Sequence, residues 1–336
     1  MRAVILDTDR TITLADRPHP DVGPGQVLVK PDFVGICGTD LHAPELDIFA
    51  RPVVLGHEFA GRVVATGVGV KAWREGDKVT VNPNANVCHA CAACRAGRYN
   101  LCHDAVFKNS IGVARDGGMA DAVALDEVYL RRLPDSLSTQ HGAWTEPLAV
   151  AVRAVRGASY RLGEPAVVIG AGPIGLLVVQ VLRRAGATAI AVIEPAEFRR
   201  QKALEVGASE ALAPGAEAVA YLGAEITPSF VFECSGHPTA LQTAMSIVAP
   251  GGHVRLIGVG GEPAAMNAMD ALLKEVTISA NFIYDVEFEI AMNLLADGAV
   301  DVDALTSDIL ELGQFADAFS TLRRGGSAIK VLLGAS

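Results

Sequence analysis

Residues 166–175 read Ala166-Val-Val-Ile-Gly170-Ala-Gly172-Pro173-Ile174-Gly175. An apolar run passes directly into a glycine-rich turn, and the residues that follow, 174–184, predict a helix. Gly170 permits a tight turn, Gly172 lets a phosphate group approach the backbone at the start of the helix, and Gly175 lets the helix pack closely on the strand. This stretch therefore predicts a strand, a cofactor-binding turn and a helix within a doubly wound parallel sheet of an α/β protein.

An acidic residue at the end of the second predicted strand indicates which cofactor binds. Glu194 lies 19 residues after Gly175, where a carboxylate accepts a hydrogen bond from an adenosine ribose 2′-hydroxyl and repels a 2′-phosphate. NAD is therefore expected rather than NADP. Arg199 and Arg200 keep NADP as the alternative, because either guanidinium could neutralise a phosphate if Glu194 turned away. The other predicted cofactor contacts are Pro173, Ile174, Arg199, Gly258, Val259 and Phe282.

The pattern of strands and helices divides the chain into parts. Up to about residue 133, short β-type runs separated by glycine, proline and aspartate predict a compact β-rich domain, with strands at 3–6, 26–31, 59–66, 78–81 and 120–125. After a helix near 148–155, residues 164–281 alternate strands with helices and predict the parallel sheet, with strands at 167–169, 189–193, 230–233, 254–257 and 276–280. Residues 287–336 predict a helix, a loop, a helix and a last strand at 328–333, and the sequence leaves open which domain they complete.

Composition argues against several classes of partner. The chain has 336 residues, half of them hydrophobic, which is enough for two domains with a core each. Its formal charge of −10 argues against binding to a nucleic-acid backbone or an anionic membrane surface. The first residues lack the apolar core of a signal peptide, and no apolar run approaches the roughly 20 residues that span a bilayer. We therefore expect a cytoplasmic protein whose cysteines bind metal rather than form disulfides.

Four cysteines form a compact run. Their spacing is C-x2-C-x2-C-x7-C within a stretch rich in proline, asparagine and glycine, and they are Cys88, Cys91, Cys94 and Cys102. Such spacing lets one short lobe close four thiolates around a tetrahedral ion. The run therefore predicts a structural zinc site.

A second, dispersed set of residues combines the donors that a catalytic zinc site uses. It comprises Cys37 in Gly-Ile-Cys-Gly-Thr-Asp-Leu-His, His57 and Glu58 in Gly-His-Glu-Phe-Ala-Gly, and Glu146 in Trp-Thr-Glu-Pro-Leu. Thiolate, imidazole and carboxylate ligands with an open position are what catalytic zinc requires. Each of these residues alone is explained equally well by an ordinary structural role. The motifs that surround them support the interpretation of the set as a zinc site.

These motifs together carry a resemblance to a known family. Residues 35–42 and 56–61, the four-cysteine run, Glu146-Pro147 and residues 170–175 resemble, in this order, the motifs of the medium-chain zinc-dependent alcohol dehydrogenases. Within them the chain is similar to the polyol branch, which includes sorbitol, butanediol and threonine dehydrogenases. The resemblance implies a GroES-like catalytic domain at 1–150, a Rossmann domain at 151–285 and a segment, 286–336, that returns to the catalytic domain. It also implies two zinc ions per chain and a homodimer or homotetramer.

The resemblance implies roles for individual residues. Cys37 and His57 are expected to bind the catalytic zinc, with Glu58 as the third ligand or its exchange partner. Glu146 stands where the best-known alcohol dehydrogenases have a cysteine, which leaves open whether it binds zinc directly or holds a water. Thr39 and His42 are expected to carry away the proton of the substrate hydroxyl, while zinc favours its loss and NAD accepts the hydride.

The expected activity is oxidation of a secondary hydroxyl of a small polyol, cyclitol or sugar to a ketone. The alternative is an amino-sugar, aminocyclitol or threonine 3-dehydrogenase, which Glu45 and Asp47 would support, because they lie with Phe49 in the stretch that borders the substrate in this family. A further alternative is a non-catalytic NAD(H)-binding sensor, which would lack a zinc ligand or a relay residue. All of those residues are present in the chain.

Overall fold

The computed structural model describes residues 1–334, so the last two residues of the predicted segment 286–336 lie outside the described residues. The chain forms two compact units. The first comprises Met1–Glu146, Ala291–Asp297 and Thr306–Ser336, and the second comprises Pro147–Ile290 and Gly298–Leu305. These divisions fall after Glu146 and Ile290, and the boundaries at 150 and 285 stay a prediction.

The first unit is built from short strands, as the β-type runs separated by turn residues predict. The strands are β1 (Arg2–Leu6), β2 (Ile12–Asp16), β3 (Gln26–Gly35), β4 (Val53–Val54), β5 (Glu58–Thr66), β6 (Lys78–Val81), β7 (Val123–Asp126), β8 (Leu130–Arg132), β15 (Thr306–Glu311) and β16 (Lys330–Gly334). A sheet of seven strands has the order β15-β16-β3-β5-β6-β8, with β7 also paired to β3, and β2-β1-β4 form a small second sheet. Most buried apolar side chains of these strands form a core that includes Val331 and Leu333 of β16 and also takes in Leu312 and Phe319, which lie between β15 and β16.

The end of the chain differs from the prediction in one element. The predicted strand at 328–333 is present as β16, but the segment predicted as a loop before the second helix contains β15. Most residues of β15 are half-buried or exposed, so the strand lacks the apolar alternation by which a half-buried strand is recognised. Both strands belong to the first unit, whereas Gly298–Leu305 belongs to the second.

The second unit contains a parallel sheet. Its strands are β9 (Ala166–Ile169), β10 (Ile190–Ile193), β11 (Glu210–Leu212), β12 (Phe230–Glu233), β13 (His253–Leu256) and β14 (Thr277–Ala280). The order is β11-β10-β9-β12-β13-β14, and every pairing is parallel. β9, β10 and β12 are buried along their whole length, as expected for a parallel sheet covered on both faces.

Helices complete both units. They are α1 (Gly38–Leu41), α2 (Ala92–Arg95), α3 (His103–Phe107), α4 (Thr139–Gly142), α5 (Thr145–Gly157), α6 (Pro173–Arg184), α7 (Glu197–Glu205), α8 (Ala216–Tyr221), α9 (Ala240–Ile247), α10 (Ala268–Lys274), α11 (Glu287–Ala296) and α12 (Phe315–Arg324). None of the helices in the described part of the chain has the length and apolar character needed to cross a membrane.

The register of the parallel sheet places the ends of its strands at one edge. The last residues of five neighbouring strands are paired in register; they are Ile193, Ile169, Glu233, Leu256 and Ala280. The residues that directly follow them are therefore brought together at the carboxyl edge of the sheet. In open α/β sheets this edge is where ligands bind, at the point where the strand order reverses, which here is β9.

Candidate zinc and dinucleotide sites

The four predicted structural cysteines lie together in the first unit. The sulfur atoms of Cys88, Cys91, Cys94 and Cys102 are all within 4.8 Å of one another. Backbone N–H groups of Ala90 and Cys91 donate to the Cys88 sulfur at 3.4 and 3.3 Å and lower the pKa of that thiol to about 6. Burial and the neighbouring thiols raise the pKa of Cys94 to about 12. Four sulfurs this close cannot all be thiolates without a cation between them, so the cluster fits a tetrahedral zinc ion.

The second cluster forms where two paired strands begin and end. Cys37 follows β3, Glu58 opens β5, and Gly35 is paired with Glu58 across the two strands. One donor atom each of Cys37, His57 and Glu58 lies within 4.8 Å of the other two. His57 and Glu58 are buried. The structure thus brings together three of the four residues that the sequence predicts as catalytic zinc ligands.

Asp40 supplies a buried negative charge beside this cluster. Its Oδ2 accepts a hydrogen bond from the Cys37 backbone N–H at 2.9 Å, and its Oδ1 lies 3.7 Å from His57 Nδ1. Burial would lower the pKa of the His57 imidazole, but Asp40 and Cys37 raise it well above its ordinary value. The negative charges around His57 therefore stabilise a positive charge in the cluster. A zinc site whose histidine ligand lies next to a carboxylate has the same property.

Lys330 on β16 is the counter-charge of Glu58. The two side chains form an ion pair, and they are only 3% and 2% exposed. Burial would lower the pKa of the Lys330 ammonium, whereas Glu58 raises it, and the balance lies above the ordinary value. Gly35 makes room for the pair, because a Cβ there would lie 2.5 Å from Glu58 Oε2 and 2.9 Å from Lys330 Cε.

Glu146 lies near the cluster without joining it. The residue is buried in the first turn of α5, and its charge raises the pKa of His57. It does not belong to the group of described donor atoms within 4.8 Å, which is Cys37, His57 and Glu58. This arrangement favours Glu58 over Glu146 as the direct ligand, and the choice stays a proposal.

The two predicted relay residues lie on and directly after α1. Thr39 Oγ1 is 3.6 Å from the Cys37 sulfur, at the cluster itself. His42 ends the helix on the surface, and its Nδ1 lies 3.0 Å from Glu45 Oε2. Thr39 is therefore placed beside the predicted metal ligands, and the His42 side chain is placed in contact with solvent.

The stretch after His42 does not offer two unpaired acids. Glu45 pairs with His42, and Asp47 pairs with Arg10 at 2.7 Å. Phe49 is 5% exposed and packs in the core of the first unit. In this structure both acids pair with other side chains of the first unit, and Phe49 belongs to the core of that unit.

The glycine turn of the second unit has the predicted form. Gly170 has a φ of +95°, which favours glycine, and a Cβ on Gly175 would lie 1.9 Å from the Gly170 carbonyl oxygen. Gly172 directly precedes α6, whose first two residues are Pro173 and Ile174. A Cβ on Gly172 would meet no described atom within 4 Å, so packing within the chain does not explain this glycine.

Glu194 lies beside this turn. It follows β10, is 5% exposed, and accepts hydrogen bonds from Ala171 N at 2.8 Å and Ala196 N at 3.0 Å. Arg200 donates to the carbonyl oxygens of Glu194 and Pro195 at 2.9 and 2.6 Å. Arg199 lies on α7. The Glu194 carboxylate is thus held against the glycine turn.

The other predicted cofactor residues follow strands of the same sheet. Gly258 and Val259 come after β13, and Phe282 comes after β14. Val259 is 89% exposed, the highest value among the exposed large apolar residues of the described chain, and Phe282 is 47% exposed. Exposed apolar side chains at this edge are suitable for contact with a flat ring.

Sequence reasoning missed two residues that the structure places in these sites, Lys330 and Glu233. Lys330 is the one charged residue in the apolar run 328–333, and a lone charge in a predicted core strand could have indicated a buried partner. Glu233 ends β12 and is 5% exposed. Nothing in the local sequence distinguishes it from any acid at a strand end.

Comparison with known proteins agrees with both sites. Residues 23–135 match the alcohol dehydrogenase GroES-like domain, and residues 173–297 match the zinc-binding dehydrogenase domain. The chain is 31% identical to the sorbitol dehydrogenase of Gallus gallus over 342 residues, covering 98% of this chain and 95% of that protein.

Two solved structures are similar over their whole length. A zinc-binding dehydrogenase of Sinorhizobium meliloti 1021 bound to NADP has a TM-score of 0.92 and 33% identity, covering 99% of this chain and 98% of that one. The 2R,3R-butanediol dehydrogenase of Bacillus subtilis has a TM-score of 0.89 and 31% identity, covering 100% and 99%. With a GroES-like domain, a dinucleotide-binding sheet and two clusters of zinc-binding side chains, the chain belongs to the medium-chain zinc-dependent alcohol dehydrogenases, in the polyol branch.

Proposed function

We propose that this enzyme oxidises a secondary hydroxyl of a polyol, cyclitol or sugar to a ketone and transfers the hydride to NAD. The observation that carries the proposal is the cluster of Cys37, His57 and Glu58, which combines a thiol, an imidazole and a carboxylate. Such a set leaves a tetrahedral zinc ion with an open position for a hydroxyl-bearing substrate. The carboxylate makes the site harder than a site with two thiolates, which suits a chelating, hydroxyl-rich substrate.

The residues of the first unit have distinct proposed roles. Cys37, His57 and Glu58 hold zinc, which when bound supplies the Lewis acid that favours loss of the hydroxyl proton. Glu146 holds a water near the ion or exchanges with Glu58. Thr39 relays the proton of the substrate hydroxyl, giving up its own hydroxyl proton as it takes the substrate's, and His42 is the group that releases a proton to solvent. Cys88, Cys91, Cys94 and Cys102 hold the structural zinc.

NAD is the proposed cofactor, with Glu194 as the residue that selects it. Its buried carboxylate accepts one backbone N–H from the glycine turn, that of Ala171, and one from Ala196, so a 2′-phosphate there would meet a negative charge held in place. Arg200 is engaged by backbone carbonyl oxygens, which limits its use for neutralising a phosphate. Initial rates with NAD and with NADP test this choice. A higher kcat/KM with NADP would contradict it.

The substrate class is tested by initial rates of NAD reduction across a panel of polyols, cyclitols, amino sugars and threonine. We expect turnover on plain polyols by the zinc-loaded enzyme and none after removal of zinc by a chelator. Cys37→Ser is expected to lose turnover as well, whereas Cys234→Ala, which changes a thiol outside both clusters, is expected to keep it. Turnover confined to amine-bearing compounds would favour the amino-sugar or threonine alternative. NADH binding without turnover on any compound would favour the sensor.

We propose further that the enzyme is a cytoplasmic homo-oligomer. β14 is an edge of the parallel sheet, and its residues Thr277–Ala280 carry no charge that would protect an edge from pairing. The preceding helix exposes Leu272 and Leu273, which are 70% and 78% exposed. An identical strand related by a two-fold axis would pair with β14 in antiparallel fashion and cover both leucines. Light scattering should give the mass of a dimer or tetramer, and Leu272→Lys with Leu273→Lys should lower it.

A further inference from the structure

A buried carboxylate at the end of β12 holds the loops on one side of the glycine turn. Glu233 Oε1 accepts hydrogen bonds from Ser235 N at 2.7 Å, Ser235 Oγ at 2.6 Å and Gly236 N at 2.8 Å. The backbone carbonyl oxygen of Glu233 accepts from Ile257 N at 2.8 Å and Gly258 N at 2.9 Å. One residue thus fixes the loop after β12 through its side chain and the loop after β13 through its backbone.

The loops after β12 and β13 are in close contact with each other. The loop after β12 is also in close contact with the glycine turn. A Cβ on Gly236 would lie 2.5 Å from the Val259 carbonyl carbon, and a Cβ on Gly260 would lie 2.0 Å from the Gly236 oxygen. A Cβ on Gly170 would lie 2.9 Å from the Ser235 Cβ. A shift of Ser235 or Gly236 would therefore displace both Gly170 and residues 258–260, because close-packed backbone cannot absorb it.

The glycine turn consequently has a buried carboxylate on each side. β9 lies between β10 and β12 in the sheet. Glu194 follows β10 and accepts from the turn directly, at Ala171 N. Glu233 ends β12 and acts through Ser235, which lies against Gly170. Glu194 faces the predicted adenosine side, and Glu233 supports the side on which Gly258 and Val259 lie.

We propose that Glu233 is a positioning residue for the dinucleotide. It holds Ser235 and Gly236 in place, so that the glycine turn and residues 258–260 keep the shape that binds the cofactor. The inference rests on the proposed function in one respect, that the ligand at this edge is NAD.

Binding of NADH to the zinc-loaded protein, followed by NADH fluorescence, tests the role of Glu233 apart from catalysis. Glu233→Gln keeps the side-chain size but removes the charge from an oxygen that accepts three hydrogen bonds, and we expect the Kd of NADH to rise about tenfold. Ser235→Ala keeps the Cβ beside Gly170 and loses the hydroxyl, and we expect a rise of about threefold. Ser235→Ala also keeps the test valid if Glu233→Gln does not fold.

Glu164→Gln is the matched control. Glu164 also accepts a serine hydroxyl, Ser229 Oγ at 2.6 Å, but these residues precede β9 and β12 and so lie at the opposite edge of the same sheet. We expect its Kd for NADH to equal that of the parent. Unchanged NADH binding in Glu233→Gln and Ser235→Ala would overturn the inference, even if both unfold at a lower temperature, because the role would then be structural only. Equal weakening in Glu164→Gln would overturn it too. A parent protein that does not bind NADH would overturn the proposed function itself.

Discussion

Lys330 and Glu58 form an ion pair in which both side chains are buried. Both side chains are almost inaccessible, and Glu58 belongs to the predicted metal cluster. Lys330→Met would leave a buried carboxylate without its counter-charge, which destabilises proteins by about 3–5 kcal/mol. We expect a loss of this size in urea unfolding of protein freed of the catalytic zinc, in which no bound cation balances the Glu58 carboxylate.

Lys202→Met provides the comparison for that measurement. Lys202 pairs with Glu205 at 2.8 Å, but the glutamate is 53% exposed, so the pair is screened by water. Its loss should change the free energy of unfolding by less than about 1 kcal/mol. Equal losses of unfolding free energy in the two variants would contradict the expectation that the buried Lys330 pair stabilises the protein more than the exposed Lys202 pair does.

Two glycines at the start of α6, Gly172 and Gly175, are needed for different reasons. Gly175 has no room for a side chain, so Gly175→Ala should destabilise the second unit by about 1–3 kcal/mol. Gly172 has an ordinary φ of −74° and no described atom near its Cβ position, so Gly172→Ala should change stability by less than about 1 kcal/mol. We expect Gly172→Ala instead to raise the Kd of NADH about tenfold, since the methyl group would occupy the place of the phosphates. Urea unfolding and NADH titration of both variants would reveal the contrast, and normal NADH binding by Gly172→Ala would argue against a phosphate site there.

The four-cysteine lobe is an element that depends on its metal. It contains only short helices and a small cluster of buried side chains, which is too little to hold four sulfurs together without a bound ion. Cys94→Ser should lower the zinc content from two ions per chain to one and lower the unfolding temperature, as measured by metal analysis and calorimetry. Cys234→Ala should keep both ions. A Cys94→Ser protein with two zinc ions would rule out the lobe as a site.

At the scale of the whole molecule, the end of the chain completes the sheet that holds the predicted catalytic cluster. β16 lies between β15 and β3, and Leu332 pairs with Gly35, two residues before Cys37. A chain ending at Ser327 would keep every predicted zinc ligand but lose a central strand and Lys330. We expect it to lose the fold of the first unit, measured by near-ultraviolet circular dichroism, and to bind less than one zinc ion per chain. Native-like dichroism with two bound ions would contradict this expectation.

Several features of the two sites can be predicted from the sequence, because they depend only on residues that are close together along the chain. Gly170 needs a backbone conformation that favours glycine, and Gly172 and Gly175 stand at fixed offsets from it. The four cysteines are close enough along the chain to meet in one lobe wherever the lobe lies. The alternation of strands and helices likewise predicts the parallel sheet, and with it the edge at which Glu194 and Gly258 are found.

Only the tertiary structure decided which distant residues support those sites. Lys330 reaches Glu58 because β16 is inserted beside β3, and strand order is a long-range property that no local pattern contains. The pairing of Glu45 and Asp47 with other side chains, the burial of Phe49 and the hydrogen bonds of Glu233 depend in the same way on what the fold brings near. Local sterics and residue spacing thus determined that the chain has zinc and dinucleotide sites. The packing of segments remote in sequence determined which side chains balance the buried charges of these sites and hold them in place.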